Sequence, residues 1–231
     1  MSPLHYLVLT QQTSCRSYCQ TGASLRNEQQ GWLFVVCDNV DTRTEVNYQC
    51  QTVANTICQY YYQDTNANCL QKLQCAFHQT NAMLYQQRRT TGAIVCAAVL
   101  TCNSILYTTH VGNCRVYRYR KGSLQRLTED HTLAARLVRL AQITKEQLYT
   151  HPHSLDKVYQ VLGEAETIDV DASQHSLNQG DRILLCTSGL YRYISDAVLS
   201  QVMAHESLQD ATRRLREEVS YDMAGILIDY G

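Results

Sequence analysis

The chain has 231 residues, a formal net charge of −1 and 45% hydrophobic residues. This composition supplies a core for a single domain over residues 1–231 and excludes a disordered chain. The near-neutral charge argues against nucleic-acid and membrane-surface proteins, which carry a strong basic field. No apolar run reaches the length of a membrane span, and the opening stretch MSPLHYLVLTQQ has no positive leader region, so we expect a cytoplasmic protein.

The first elements in chain order are two strands and two helices. Short apolar runs at Leu4–Thr10 and Trp32–Cys37 are typical of strands, and a polar stretch joins them. Residues 44–63 and 66–88 carry apolar side chains at helical spacing. The short β-rich runs of residues 92–127 then predict a meander of about four strands with tight turns between them.

The second half of the chain alternates between helices and strands. We predict helices at 131–149, near 195–203 and at 207–218, and strands at 167–175, 181–187 and AGILIDY. No linker rich in Pro, Gly or Ser divides the chain. The connections within 92–127 are too short for parallel crossovers, so the pattern favours antiparallel sheets covered by helices in one α+β domain.

The cysteines are the most unusual feature of the composition. The chain has 11 of them, none in a CxxC pair, and their spacings match neither zinc-ribbon nor redox motifs. Most lie within apolar segments, as Cys37 and Cys186 do. We therefore predict buried, reduced thiols that pack as small hydrophobic residues.

The stretch FVVCDNVDT at 34–42 ends an apolar run in Asp38. An acid at the end of a buried strand can serve a binding site, or it can simply cap a turn. A turn that brings backbone close to a ligand usually contains glycine, and this one has none. Both interpretations of Asp38 stay open from the residues alone.

Four segments in a fixed order resemble one known family. They are TTGAIVCAAVL, LYTTHVGNCRVYRYRKGSLQRLTEDHTLAARLVRLAQIT, THPH and GDRILLCTSGLYRYISD. This order is similar to that of the type 2C (PPM) metal-dependent Ser/Thr protein phosphatases in their compact bacterial form. The resemblance implies a four-layer α-β-β-α sandwich of two stacked antiparallel sheets flanked by helices. It also implies two Mg²⁺ or Mn²⁺ ions between the sheets and an arginine that holds the phosphate.

The N-terminal motifs of that family are only partly present. The resemblance places Arg16 at the phosphate-binding position, but Gln20 and Thr21 stand where the family has acids. The strand that ends in Asp-Gly-Met-Gly-Gly maps onto residues 38–42, so Asp38 is retained and Asn39 replaces the first glycine. Asp41, in the same stretch, could assist metal binding.

The C-terminal motifs have also lost acids. Asn113 replaces the aspartate linked to a third, weaker metal, and Ser188 replaces an aspartate that binds the central metals. Asp222 keeps the last aspartate of the pattern. Asp38 and Asp222 alone cannot neutralise two divalent cations, so we expect no resident cofactor and Mg²⁺ or Mn²⁺ bound at most weakly.

These losses predict a catalytically degenerate member of the family, without a competent catalytic residue. Its function would be a regulatory one, binding a phosphoprotein or a component of a Ser/Thr kinase pathway. The alternative is a weak Mg- or Mn-dependent phosphoprotein phosphatase that uses Asp38 and Asp222. A third possibility is the sensing of a small anion by Arg16, which could equally be a surface arginine.

The histidines of the resembling segments have structural interpretations. His131 directly precedes a predicted helix, and we expect it to pack or to cap rather than to act as a base. His151 and His153 fall in a loop that the resemblance places away from the metal centre, so we do not expect them to form a separate metal site.

Overall fold

The computed structural model describes residues 4–11, 17–21, 31–39, 46–87, 93–100, 103–144, 147, 157–204, 207–219 and 223–231. Ten strands and six helices lie in these ranges. The strands are β1 His5–Gln11, β2 Ser17–Thr21, β3 Trp32–Asn39, β4 Ala93–Leu100, β5 Ile105–Val111, β6 Arg115–Arg120, β7 Ser123–Arg126, β8 Asp171–Ser176, β9 Asp181–Cys186 and β10 Met223–Tyr230. The helices are α1 Val46–Gln63, α2 Cys69–Gln86, α3 Leu133–Arg139, α4 Ser188–Tyr191, α5 Asp196–Met203 and α6 Leu208–Glu218.

The strands form two antiparallel five-stranded sheets. The first sheet has the order β1-β10-β9-β6-β7, and the second has the order β2-β3-β4-β5-β8. The predicted meander at 92–127 is therefore wrong in one respect. Its four strands exist, but β4 and β5 belong to the second sheet while β6 and β7 belong to the first. Strand length and turn residues are local features of the sequence. Neither of them predicts that the chain passes from one sheet to the other between β5 and β6.

Three hydrophobic clusters separate four layers. One cluster lies between the sheets and contains Phe34 and Val36 of β3 with Ile183 and Ile226 of the first sheet. A second joins β3 to α1 and α2, and a third joins the first sheet to α4, α5 and α6. Apolar burial on both faces of the central strands explains their continuous apolar sequence. The α-β-β-α sandwich expected from the resemblance is confirmed.

Turn chemistry fits the hairpin between β6 and β7. Arg120 and Ser123 pair directly, and Lys121 and Gly122 between them have φ angles of 48° and 83°. Two consecutive residues with positive φ define the two-residue turn that suits the twist of paired strands. This hairpin turn is one of the tight turns predicted between the strands of residues 92–127.

The helix predicted at 131–149 is much shorter than expected. It begins after Thr132, whose hydroxyl accepts a hydrogen bond from the Ala135 amide, and α3 ends at Arg139. Ala141 has a φ of 52°, and the amide of Gln142 donates to the carbonyl of Leu137. This left-handed closing turn terminates the helix. No helix within the described ranges is both long and apolar enough to cross a membrane.

Candidate active site

Asp38 lies one residue before the end of β3, at one end of the sandwich. Alternate residues of a strand share a face, so Asp38 follows Phe34 and Val36 on the face towards the first sheet. The odd-numbered residues Val35 and Cys37 face α1 and α2 instead. The strand thus delivers a carboxylate into the space between the sheets.

Two donors contact the Asp38 carboxylate. The Asn39 amide donates to Oδ1 at 2.9 Å, a local contact with the next residue of the strand. The Ser188 hydroxyl donates to Oδ2 at 3.4 Å. Ser188 begins α4 directly after β9, so this second contact crosses from the first sheet to the second. Asp38 therefore contacts the amide of the next residue in its own strand and also faces Ser188 across the two sheets.

Asn113 places a further oxygen in this end of the molecule. It lies between β5 and β6, is 4% exposed, and its Oδ1 has no hydrogen-bond partner among the described residues. The Tyr191 hydroxyl donates to its backbone carbonyl at 2.8 Å. A buried amide oxygen without a partner is costly, and a hard cation or an ordered water would satisfy it.

Arg115 fixes the loop that carries Asn113. Its guanidinium donates to both carboxylate oxygens of Asp130, with a shortest distance of 2.6 Å, and lies 3.5 Å from the centre of the Tyr191 ring. Burial alone would lower the pKa of Arg115, but the hydrogen bonds and charge of Asp130 raise it above its ordinary value. The arginine therefore stays charged and holds both α4 and the Asn113 loop.

A second polar cluster lies on the neighbouring strands. His110 of β5, His131 and Asp171 of β8 bring nitrogen and carboxylate oxygen atoms within 4.8 Å of one another. The two imidazole rings are 4.7 Å apart, and His131 Nε2 lies 3.2 Å from Asp171 Oδ2. Three such groups have the composition of a cation site.

The hydrogen bonds of this cluster argue against a bound metal. Gly112 donates its amide to His131 Nδ1, so the proton of a neutral His131 is on Nε2, facing Asp171. His110 Nε2 lies 2.6 Å from the Glu129 carbonyl, which can only accept, so this nitrogen also carries a proton. Burial and the adjacent His131 lower the pKa of His110. His131 thus accepts the Gly112 amide and faces Asp171 with Nε2–H, while His110 donates to the Glu129 carbonyl.

The structure gives His131 a packing function. Its carbonyl accepts from the Tyr159 amide and its amide donates to the Gly112 carbonyl, whereas Thr132 caps α3. Sequence reasoning did not find the partnership with His110 and Asp171. A histidine near the end of β5 and an acid at the start of β8 were visible in the sequence, but only the sheet register joins them.

The other predicted residues are described in part or not at all. Arg16, Asp41 and Asp222, together with His151 and His153, lie outside the described residues. Gln20 and Thr21 belong to β2, where they pair in register with Val35 and Phe34.

Residues close in sequence to Arg16 and Asp222 are described, and they lie beside the site. Ser17, the residue after Arg16, pairs in register with Asp38. Ala224 exchanges hydrogen bonds with Thr187, the residue before Ser188. The start of β2 therefore lies beside Asp38, and the start of β10 lies beside Thr187, the residue before Ser188.

The oxygen atoms present suit one cation better than two. Asp38 is the one carboxylate of the predicted metal ligands that falls in the described part of the chain, and Ser188, Asn39 and Asn113 contribute neutral oxygens. Mg²⁺ binds through one or two carboxylates while keeping several waters. Two divalent cations would bring four positive charges against a single negative one. The described residues fit one weakly held Mg²⁺ or Mn²⁺ ion.

Comparison with known proteins returns phosphatases. No family model matches the chain. The Ser/Thr phosphatase Stp of Listeria innocua is 28% identical over 112 residues, which cover 48% of this chain and 44% of that protein. The phosphatase PstP of Mycobacterium tuberculosis is 28% identical over 120 residues, 52% of this chain and 23% of PstP. PhpP of Streptococcus pneumoniae is 30% identical over 114 residues, 49% of this chain and 46% of PhpP. The chain thus spans less than half the length of these relatives.

Solved structures match nearly the whole chain. The Ser/Thr phosphatase Stp1 of Staphylococcus aureus superimposes with a TM-score of 0.86 at 20% identity and covers 100% of this chain and 96% of its own. A catalytic domain of PstP in complex with two manganese ions matches with a TM-score of 0.78 at 20% identity. The match covers 97% of this chain and 96% of that domain. These proteins are named as Ser/Thr phosphatases, and at 20% identity the likeness shows the fold. The fold is that of the PPM-type Ser/Thr phosphatases, and the relatives that resemble this chain in sequence are named as Ser/Thr phosphatases.

Proposed function

We propose that this chain is a Ser/Thr phosphoprotein phosphatase of the PPM type that depends on weakly bound Mg²⁺ or Mn²⁺. The observation that carries the proposal is the Asp38 carboxylate at the end of β3, facing Ser188 at the start of α4, the helix that follows β9 of the other sheet. Support comes from the phosphatase names of the relatives and from the manganese bound by one structural neighbour. Its substrates would be phosphoproteins of a Ser/Thr kinase pathway.

The chain's own groups divide the work. Asp38 would hold the cation, with Asp222 as the second carboxylate that the family pattern supplies. Asn113 Oδ1 would accept from a water of the ion, since it is buried without a protein partner among the described residues. Arg16 would bind the phosphate group. When bound, the cation supplies positive charge for the phosphoryl oxygens and lowers the pKa of a bound water.

Ser188 provides the sharpest test of the proposal. Ser188→Asp restores a carboxylate next to Asp38, and Ser188→Asn is the matched control of similar size without charge. We expect Mn²⁺ to raise the melting temperature of Ser188→Asp at concentrations at least tenfold lower than for the natural sequence, because tighter binding to the folded state stabilises it more. Hydrolysis of p-nitrophenyl phosphate and a phosphopeptide at millimolar Mn²⁺ should rise in parallel.

The natural sequence itself must show turnover in the same assay. Its hydrolysis at millimolar Mn²⁺ should exceed that in chelator, and Asp38→Asn should abolish the difference. A natural protein without turnover and without a Mn²⁺-dependent shift in melting temperature contradicts the proposal.

The non-catalytic interpretation is the second candidate, and one observation favours it. The Ser188 hydroxyl donates to Asp38, so a neutral group fulfils a polar contact where the family has a metal-binding acid. A binding protein of this kind would hold a phosphopeptide in the presence of chelator, through Arg16. Binding that Arg16→Ala abolishes, combined with no turnover at millimolar Mn²⁺, would establish this function instead.

A further inference from the structure

Two cysteine sulfur atoms are in contact beside the candidate site. Sγ of Cys37 lies 2.9 Å from Sγ of Cys50, and both residues are 0% exposed. Cys37 directly precedes Asp38 in β3, and Cys50 lies in the second turn of α1. Neither is part of a disulfide. The spacing of the cysteines in the sequence does not predict this contact between Cys37 and Cys50.

The periodicities of both elements produce the contact. The odd-numbered residues of β3 face α1, which places Cys37 in the same cluster as Val35. On α1, Cys50 shares a buried face with Val53, Ala54 and Ile57, at intervals of three, four and seven. Cys37 and Asp38 therefore point to opposite faces of one strand, the thiol towards the helix and the carboxylate towards the first sheet.

We propose that Cys37 and Cys50 form a reversible disulfide when a hydroperoxide oxidises them. A disulfide has a sulfur–sulfur distance of about 2.05 Å, so the sulfur atoms need to approach by roughly 0.9 Å. Contact between a sulfur on β3 and a sulfur on α1 supplies the proximity that this bond requires. The structure assigns the pair as a modification site that depends on neither a metal nor a phosphate.

The reaction balances with the hydroperoxide as the two-electron oxidant. One thiolate attacks the peroxide, which forms a sulfenic acid and releases an alcohol, or water if the oxidant is hydrogen peroxide. The second thiol attacks the sulfenic sulfur, the S–S bond forms and the hydroxyl leaves as water. Two thiols and one hydroperoxide thus give one disulfide, one alcohol and one water.

The bond would restrain the backbone that carries Asp38. The chain between the two cysteines runs from Asp38 to the residue before Cys50, so a disulfide closes this stretch into a ring. Closing a short ring restricts the unfolded chain, and we expect the melting temperature to rise by roughly 5–10 °C on oxidation. A hydroperoxide therefore acts one residue away from the candidate metal ligand.

The chain contains its own comparison thiols. Cys75 on α2 is exposed, so it reports the general reactivity of an accessible cysteine. Cys58 is buried on the same helix as Cys50, and burial raises the pKa of its thiol to about 12. Cys58→Ala is the matched control for Cys50→Ala, because each removes one buried thiol from α1.

The experiment oxidises the reduced full chain with hydrogen peroxide. The remaining thiols are alkylated in denaturant, and intact mass and peptide mapping are run without reductant. We expect two fewer alkylated thiols, a cross-linked peptide pair containing Cys37 and Cys50, and full reversal by dithiothreitol. Cys50→Ala should lose the cross-link, and Cys58→Ala should keep it.

The mapping on the natural sequence decides the proposal even if a variant fails to fold. A cross-link that joins other cysteines overturns it. Oxidation confined to sulfinic or sulfonic acid at Cys75, or an unchanged thiol count at Cys37 and Cys50, overturns it as well. If Cys37 is cross-linked to the same extent in Cys50→Ala, it pairs with another cysteine. That result also overturns the proposal.

Discussion

Arg115 is the residue through which the scaffold supports the candidate site. Its guanidinium is paired with Asp130 through parallel hydrogen bonds and stacks on Tyr191, which in turn donates to the Asn113 carbonyl. Guanidinium geometry matches both a carboxylate and an aromatic face, and an ammonium group cannot reproduce it. The position of Asn113 therefore depends on an ion pair that touches no ligand.

We predict that Asp130→Asn destabilises the fold by about 3 kcal/mol. The change keeps the shape of the side chain but leaves the mostly buried Arg115 charge without its counter-charge, and breaking such a pair is strongly unfavourable. Urea unfolding at pH 7.5 measures the free energy of unfolding. Arg214→Ala is the control, because its ion pairs with Glu217 and Glu218 are half exposed. Such pairs add little stability, so an equal loss in both variants would contradict the prediction.

At the scale of elements, α2 is fixed to the chain that precedes β8 by one side chain. Asn81 accepts from the Gly163 amide at 2.8 Å, and its side-chain amide donates to the carbonyls of Ala165 and Glu166. Gly163 has a φ of 87°, and a Cβ there would lie 2.8 Å from Cβ of Leu84 on the same helix. The two segments therefore approach closely and need Asn81 to satisfy the backbone between them.

We predict that Asn81→Ala costs about 1–3 kcal/mol of unfolding free energy, because it leaves the half-buried Gly163 amide without its partner, whereas the carbonyls of the exposed Ala165 and Glu166 can bond to water. Chemical denaturation and amide hydrogen exchange at Gly163 measure the effect. Gln79→Ala on the exposed face of the same helix is the control, and its stability should stay close to that of the natural sequence. If the amide hydrogen exchange rate of Gly163 is unchanged in Asn81→Ala, the prediction that Asn81 stabilises this backbone is wrong.

The elements that sequence patterns predict are those whose pattern is set locally. Helices α1 and α2 carry a long apolar stripe, and both lie close to their predicted bounds. Strand β2 escaped prediction because its sequence SYCQT is mostly polar and its pairing with β3 defines it. Helix α3 ends early because Ala141 adopts a left-handed conformation, which its residue type does not signal.

At the scale of the whole molecule, the site is assembled by long-range pairing. Asp38 could be predicted as a candidate because a strand end is visible in the sequence. Its contact with Ser188 depends on the stacking of two sheets and joins residues 150 positions apart. His110 and Asp171 meet because β5 and β8 are neighbours in the second sheet. Local sequence patterns predict neither the Asp38–Ser188 contact nor the His110–Asp171 contact. Only the family resemblance identified Ser188 as a site position.

Buried ionisable groups set how the stability of the whole fold varies with pH. Burial and the neighbouring His131 lower the pKa of His110 below its ordinary value of 6.5, and burial and Arg118 lower that of His175. Burial would raise the pKa of Asp181, but hydrogen bonds from Arg120 and the Asn178 amide lower it below 3.8. In every case the unfolded chain takes up protons at a higher pH than the folded one.

We therefore predict that the free energy of unfolding falls in two stages as the pH decreases. The first stage begins near pH 6.5, where the unfolded histidines gain protons that the folded histidines resist. The second begins near pH 3.8 and ends below the folded pKa of Asp181. Urea unfolding between pH 8 and pH 3 measures both stages, at constant ionic strength so that charge screening does not vary.

His110→Gln isolates the histidine contribution, because glutamine can donate to the Glu129 carbonyl without titrating. It should reduce the loss of stability between pH 7 and pH 5, leaving the part due to His175. His78→Gln changes an exposed histidine on α2 and should leave the full loss in place. If both variants keep the same slope in this range, the pH dependence arises elsewhere and the neutral, donor state assigned to His110 is wrong.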